Sequence, residues 1–305
     1  MPNILVFLDP TENNWPVVTK AEQLASLWQA HLVLCSISFE PALSRYAIGL
    51  DDTDSAHDPR ARLLAAETDK LNAIAQRIQQ QGLSVAVTAR WAKHAWSALE
   101  EVLSEQPFDL IIKGTHLQSP IQRTLFSSTD WDLMRCSSVP VLLVKDQPWP
   151  MHQLNLTACV DPSTSDHPNN ELNDAILQQA KAWQDTLGGS LKILHVFDPT
   201  PFLVYMEPPV PDTTEISDAL AEQHQSALHQ LLARCELSPS LGQLEAGSPL
   251  HVIPQWVTQN ETHVALLGAQ NRAGLNRWLM GHTAEKILDR IACDILVVKA
   301  TTDAA

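Results

Sequence analysis

No run of 18 apolar residues occurs in the 305-residue chain, so no membrane-spanning helix is expected. Basic residues are scarce: 20 Lys and Arg stand against 35 Asp and Glu, a formal net charge of −15. Phosphate contacts need Lys and Arg, so this balance argues against binding nucleic acid or an anionic membrane. It leaves room for one local basic pocket. Cysteine is sparse too. Cys35, Cys136, Cys159, Cys235 and Cys293 are odd in number and scattered, with no CxxC pair and no metal spacing. Reduced thiols in a cytoplasm are the simple expectation. The opening MPNILVFLDPTENN lacks a basic stretch and a cleavage site, so a cytoplasmic chain without a signal peptide is expected. Catalytic signatures are missing as well: there is no GxSxG elbow, no HExxH and no intact GxxxxGK[ST] loop. The 12 His residues place no i, i+4 pair on a predicted helix, so neither a metal site nor a catalytic residue is expected. The nine Trp residues are not interleaved with Lys or Arg and give no nucleic-acid signal.

What the chain does contain is a long internal repeat, offset by 152 to 154 residues. ILVFLDPTEN, starting at Ile4, matches LTACVDPSTS, starting at Leu156, and places Asp9 on Asp161. FDLIIKGTH matches THVALLGAQ and places Gly114 on Gly268; VPVLLVKD matches CDILVVKA. A period this long is a duplicated domain, and 305 residues suit two units of about 150. The expected division is 1–146, a linker at 147–151, and 152–300. In the linker, Pro148 and Pro150 stiffen the chain. Helices are predicted at 15–29, 59–81, 95–105 and 127–135, and again at 170–187, 214–234, 250–260 and 283–291. Buried strands lie between them, the third at 85–89 in the first copy and 241–245 in the second. Alternating strands and amphipathic helices imply two tandem α/β, doubly wound parallel sheets, flavodoxin-like in outline.

The most informative stretch is VALLGAQNRAGLNRWLMGHTAEKILDRIACDILVVK, from Val264 to Lys299. A strand closing at Gly268, a Gly-rich loop and a new helix could cradle an anion, because backbone N–H groups and the helix dipole favour negative charge there. Gly268, two residues, Asn271, nine residues, then Gly281-His282-Thr283 resembles the phosphate loop of the universal stress proteins. Asn271 stands at that family's second Gly and His282 at its hydroxyl residue. The resemblance extends over both halves. SSTDWDLMR and VKDQPWP look like its E-type tandem members. It implies Rossmann-like sheets of order 3-2-1-4-5, a pseudo-twofold axis between the halves, and a role in stress survival, including tolerance of DNA damage.

Two ligand sites are candidates. Doubly wound sheets bind ligands beyond the strand ends where strand order reverses, which brings Asp161, Pro162 and Ser163 near Gly268, Asn271, Gly281, His282 and Thr283. Asp161 is suited to ribose hydroxyls or to a Mg²⁺ carried by phosphates. By resemblance, Val196 would lie against adenine, so binding of ATP with Mg²⁺ in the second half, with at most weak hydrolysis, is one reading. The alternative is a cleft without nucleotide. The first half is eroded further: Leu117, Pro120 and Ser127 replace later loop positions, and Pro120 removes a donor. The other candidate is the insert 202–212. Phe202, Val204, Tyr205 and Met206 make it apolar enough to cover a cavity or partner, so an apolar small molecule or interdomain packing are both open. The expected protein is a non-enzymatic binding or regulatory protein, with a homodimer of tandem chains as one assembly.

Overall fold

The computed structural model describes residues 1–46, 58–115, 126–163, 167–200, 214–271, 278–279 and 282–300. The first half contains β1 (Asn3–Phe7), α1 (Trp15–Trp28), β2 (His31–Ser38), α2 (Pro41–Tyr46), α3 (Pro59–Gln80), β3 (Ser84–Trp91), α4 (Ala95–Glu105), β4 (Leu110–Gly114), α5 (Ser128–Cys136) and β5 (Val141–Val144). The second contains β6 (Leu156–Cys159), α6 (His167–Leu187), β7 (Leu191–Phe197), α7 (Thr214–Arg234), β8 (Gly242–Ala246), α8 (Pro249–Gln259), β9 (Val264–Asn271), β10 (Trp278–Leu279), α9 (His282–Leu288) and β11 (Asp294–Lys299).

The strands form one sheet in the order β3-β2-β1-β4-β5-β11-β9-β6-β7-β8, with β10 beside β9. Within each half the neighbours on this path are parallel, in the 3-2-1-4-5 order that the resemblance implies. The halves join where β5 meets β11 antiparallel, Ile295 opposite Leu143 and Val297 opposite Val141. Equivalent strands meeting antiparallel is the contact a twofold axis generates. Successive strand residues face opposite sides, so each side of the sheet carries an apolar layer. Val6, Leu142, Leu156 and Leu296 share one layer; Leu5, Leu143, Ala265 and Ile295 share the other. Both layers therefore cross the junction. Trp28 of α1 meets Trp183 of α6 edge-on at 5.5 Å, a contact worth about 0.5–1.5 kcal/mol beyond its buried area.

Polar groups at the junction are paired in a reciprocal pattern. Lys145, just after β5, donates to the Ile291 carbonyl beyond α9. Lys299, at the end of β11, donates to the Met134 carbonyl at 2.5 Å and the Ser137 carbonyl at 2.7 Å at the end of α5. The end of each closing strand is thus tied to carbonyls at or just beyond the end of the other half's closing helix. Burial pushes the Lys145 amine down to about 8 and the Lys299 amine down to about 7. Lys20 of α1 reaches both carboxylate oxygens of Asp294, at 2.9 and 2.7 Å, and the Lys145 carbonyl at 2.8 Å. Burial drives Lys20 down and Asp294 up, and their mutual contact opposes both shifts. The linker joins this junction: Trp149 is 8% exposed, with the Lys20 ammonium 5.4 Å from its ring centroid.

Two expectations are corrected. Gly268 does not close its strand. β9 continues to Asn271, because β11 pairs with it as far as Ala269 and β10 pairs with Gln270 and Asn271. The closing helix α9 ends at Leu288 rather than 291. Gly189, with φ of 88°, turns the chain after α6 and lies against the Leu154 backbone, where a side chain would collide.

Candidate functional site

A cavity of about 350 Å³ opens in the second half at the carboxyl ends of β6, β7 and β9. This is the point at which strand order reverses, where open α/β sheets take ligands. Its walls are mostly apolar. Leu172 and Ile176 come from α6, Leu194 and Val196 from β7, Pro249 and Ile253 from α8, Leu267 from β9, and Ala284 and Ile287 from α9. Cys159 and Val160 line it at the end of β6. Burial pushes the Cys159 thiol up to about 12, so it stays protonated and is no nucleophile at neutral pH.

The polar groups gather at one lip. Asp161 follows β6, and its Oδ1 accepts from the Ser163 amide at 3.2 Å and from the Ser163 hydroxyl. Asn173 of α6, only 4% exposed, straps this turn in place. Its Oδ1 accepts from the Asp161 amide at 3.0 Å and its Nδ2 donates to the Asp161 carbonyl at 2.8 Å. The first half repeats the turn: Asp9 Oδ1 accepts from Thr11 N and Oγ1 at 2.9 and 2.6 Å, and Asn14 Nδ2 donates to the Asp9 carbonyl at 2.7 Å.

Of the residues expected at this site, Asp161, Val196 and Gly268 do line the cavity, and Pro162 and Ser163 form its lip turn. Asn271 ends β9 and His282 and Thr283 begin α9. Gly281 lies outside the described residues, as do Phe202, Val204, Tyr205 and Met206. Gly268 serves packing. A Cβ there would sit 2.6 Å from Leu172 Cδ2 and 2.9 Å from Ile176 Cδ1, so the glycine lets α6 lie close on β9.

The first half carries larger residues at the equivalent positions. The repeat places Phe7 on Cys159, Lys113 on Leu267 and Asp130 on Ala284. Lys113 and Asp130, 1% and 0% exposed, form an ion pair at 2.7 Å. Lys113 also donates to the Gly114 carbonyl at 2.9 Å, and its ammonium lies 5.7 Å from the centroid of the Phe7 ring. Asp130 closes a capping box with Ser127, accepting from its amide at 2.6 Å and its hydroxyl at 2.9 Å. Three small or apolar cavity residues of the second half are thus a larger, mutually bonded set in the first. Sequence reasoning looked only at the loop and missed this plug.

The Universal stress protein family model matches residues 1–145 and 165–299. The chain belongs to the universal stress protein family. Stress response is that family's role. This universal stress protein is similar to Universal stress protein E of Escherichia coli K12, 25% identical over 302 residues, which cover 97% of this chain and 93% of the relative. Its likeness to Universal stress protein E of Photorhabdus laumondii is also 25%, covering 97% and 94%. Among solved structures, a functionally unknown protein of Pseudomonas aeruginosa PAO1 superposes with a TM-score of 0.72 at 22% identity, covering 98% of this chain and 92% of that one. A universal stress protein of Archaeoglobus fulgidus superposes with a TM-score of 0.62 at 16% identity, covering 98% of each chain. These likenesses bear out the tandem, doubly wound fold. No helix among the described residues is long and apolar enough to cross a membrane.

Proposed function

We propose that this universal stress protein is a cytoplasmic, non-catalytic binding protein whose second half takes one small molecule with an apolar body. The observation that carries this reading is the contrast between the halves. The second half has an apolar cavity of about 350 Å³, while the first carries the buried Lys113–Asp130 pair at the equivalent positions. Small-molecule sites are apolar hollows with a few polar groups, and Asp161, strapped in place by Asn173, supplies a carboxylate at the lip. Triphosphate recognition relies on Lys, Arg or a metal. Among the described residues of the lining the only charged group is Asp161, which repels an anion. The tandem halves act as one unit, the first serving as a fixed partner for the second across β5 and β11.

Native mass spectrometry of the full chain, purified without added ligand, tests this reading. The expected spectrum shows an adduct of a few hundred daltons, on the order of a ligand filling such a cavity, which organic solvent extracts. A companion calorimetric titration with ATP and Mg²⁺ is expected to be flat. Saturable heat at one site per chain would favour the nucleotide reading instead.

A further inference from the structure

Leu194 and Val196 point into the cavity, so His195 between them faces the other side of β7, toward α7. It is 1% exposed. Its Nδ1 lies 3.2 Å from the Val160 carbonyl and its Nε2 lies 2.9 Å from Nδ1 of His224 on α7. A carbonyl only accepts, so Nδ1 of His195 carries the proton. Nε2 of the neutral ring is then an acceptor, and His224 Nδ1–H must be the donor. The His224 ring stacks on Phe197 with centroids 4.7 Å apart and planes at 22°. One ring-to-ring hydrogen bond and one stacking contact therefore tie α7 to β7 at His224, while Leu228, Leu231 and Leu232 bury the C-terminal half of the helix in the core.

We propose that the His195–His224 pair is a proton-operated latch, holding α7 on β7 while His195 is neutral and releasing it in acid. A first proton on Nε2 of half-buried His224 would not touch the atoms of the shared hydrogen bond. It leaves the hydrogen bond intact and strengthens it by charge. The second must go to Nε2 of His195, which turns the only acceptor into a donor facing another donor. Two imidazolium rings 5.0 Å apart then repel each other, one of them shut off from water. Burial moves His195 below its ordinary value; the Asp161 carboxylate beyond β6 opposes the shift, and His224 across on α7 adds to it. β8 presents apolar Leu244 opposite His195. Arg234 and Asp174 pair with one another at 2.7 Å at the C-terminal end of α7, where buried Leu231 and Leu232 keep that end in place. In the released state His195 recovers its ordinary value and so binds more protons. Docking is therefore complete above about pH 6.5 and weakens as pH falls below it. The first half has no such latch: strand register places Ser36 where His195 stands.

The test is made on the full chain. Carbon-13 resonances of the histidine rings are followed with pH, and amide exchange of 214–234 is compared with that of 59–80 at about pH 7.5 and about pH 5 after correction for intrinsic rates. His195 is expected to titrate below its ordinary value. Protection of α7 should fall by about tenfold or more in acid while α3 is unchanged. His195→Leu should remove the difference. If that variant does not fold, His224→Gln, which keeps a donor and removes one titrating ring, should shift release to a different pH. His195 titrating at the ordinary imidazole value, equal acid response of α3 and α7, or an unchanged profile in the variant that folds would each overturn the latch.

Discussion

Asp130→Ala would remove one partner of the first half's plug and leave the Lys113 ammonium sealed beneath α5. The Gly114 carbonyl and the Phe7 ring would remain its neighbours. Breaking one side of a buried pair typically costs about 3–5 kcal/mol. Losing the Ser127 capping box adds about 1 kcal/mol. The double change Lys113→Leu/Asp130→Ala installs the second half's own residues. It removes both charges together and leaves chiefly the cap loss, about 1 kcal/mol. Urea unfolding of the wild type, both single variants and the double variant gives the coupling energy. It is expected to exceed about 2 kcal/mol, with the double variant more stable than Asp130→Ala alone. Adding Phe7→Cys should open a second cavity. Additive costs, or an Asp130→Ala loss under about 1 kcal/mol, would refute the plug as described.

Gly268→Ala should cost about 1–3 kcal/mol, read as a lowered melting temperature, because its Cβ would push Leu172 and Ile176 away from β9. Lys299, with its amine near 7 when folded, loses its proton on folding at mildly alkaline pH, while the unfolded chain keeps it. Stability should therefore rise from about pH 7 toward 10, and Lys299→Met should flatten that slope in denaturant midpoints. The fragment 1–145 exposes the fully buried edge of β5, so sedimentation should show self-association; a stable monomer with native-like melting would contradict the shared core.

Much of the fold was legible because duplication writes each element twice and buried strands read as unbroken apolar runs. Asp161 followed from that repeat, and Val196 from the family resemblance. Gly268 was misread because a glycine ending an apolar run looks like a strand stop, whereas α6 needs the missing side chain there. The plug was illegible for a different reason. Lys113 and Asp130 are 17 positions apart, and nothing local distinguishes a charge that tertiary packing buries from one on a solvated face. Asn173 was missed likewise, since its first-half counterpart Asn14 performs the same strapping from a different distance along the chain.

The most direct test of the binding site is fluorescence titration of the full chain with the apolar probe N-phenyl-1-naphthylamine, comparing wild type with Ala284→Phe, which fills the cavity wall. The expected result is one probe per wild-type chain, no displacement by Mg²⁺ and ATP, and loss of binding in Ala284→Phe. Undiminished binding in that variant, or displacement of the probe by ATP, would contradict an apolar ligand site in the second half.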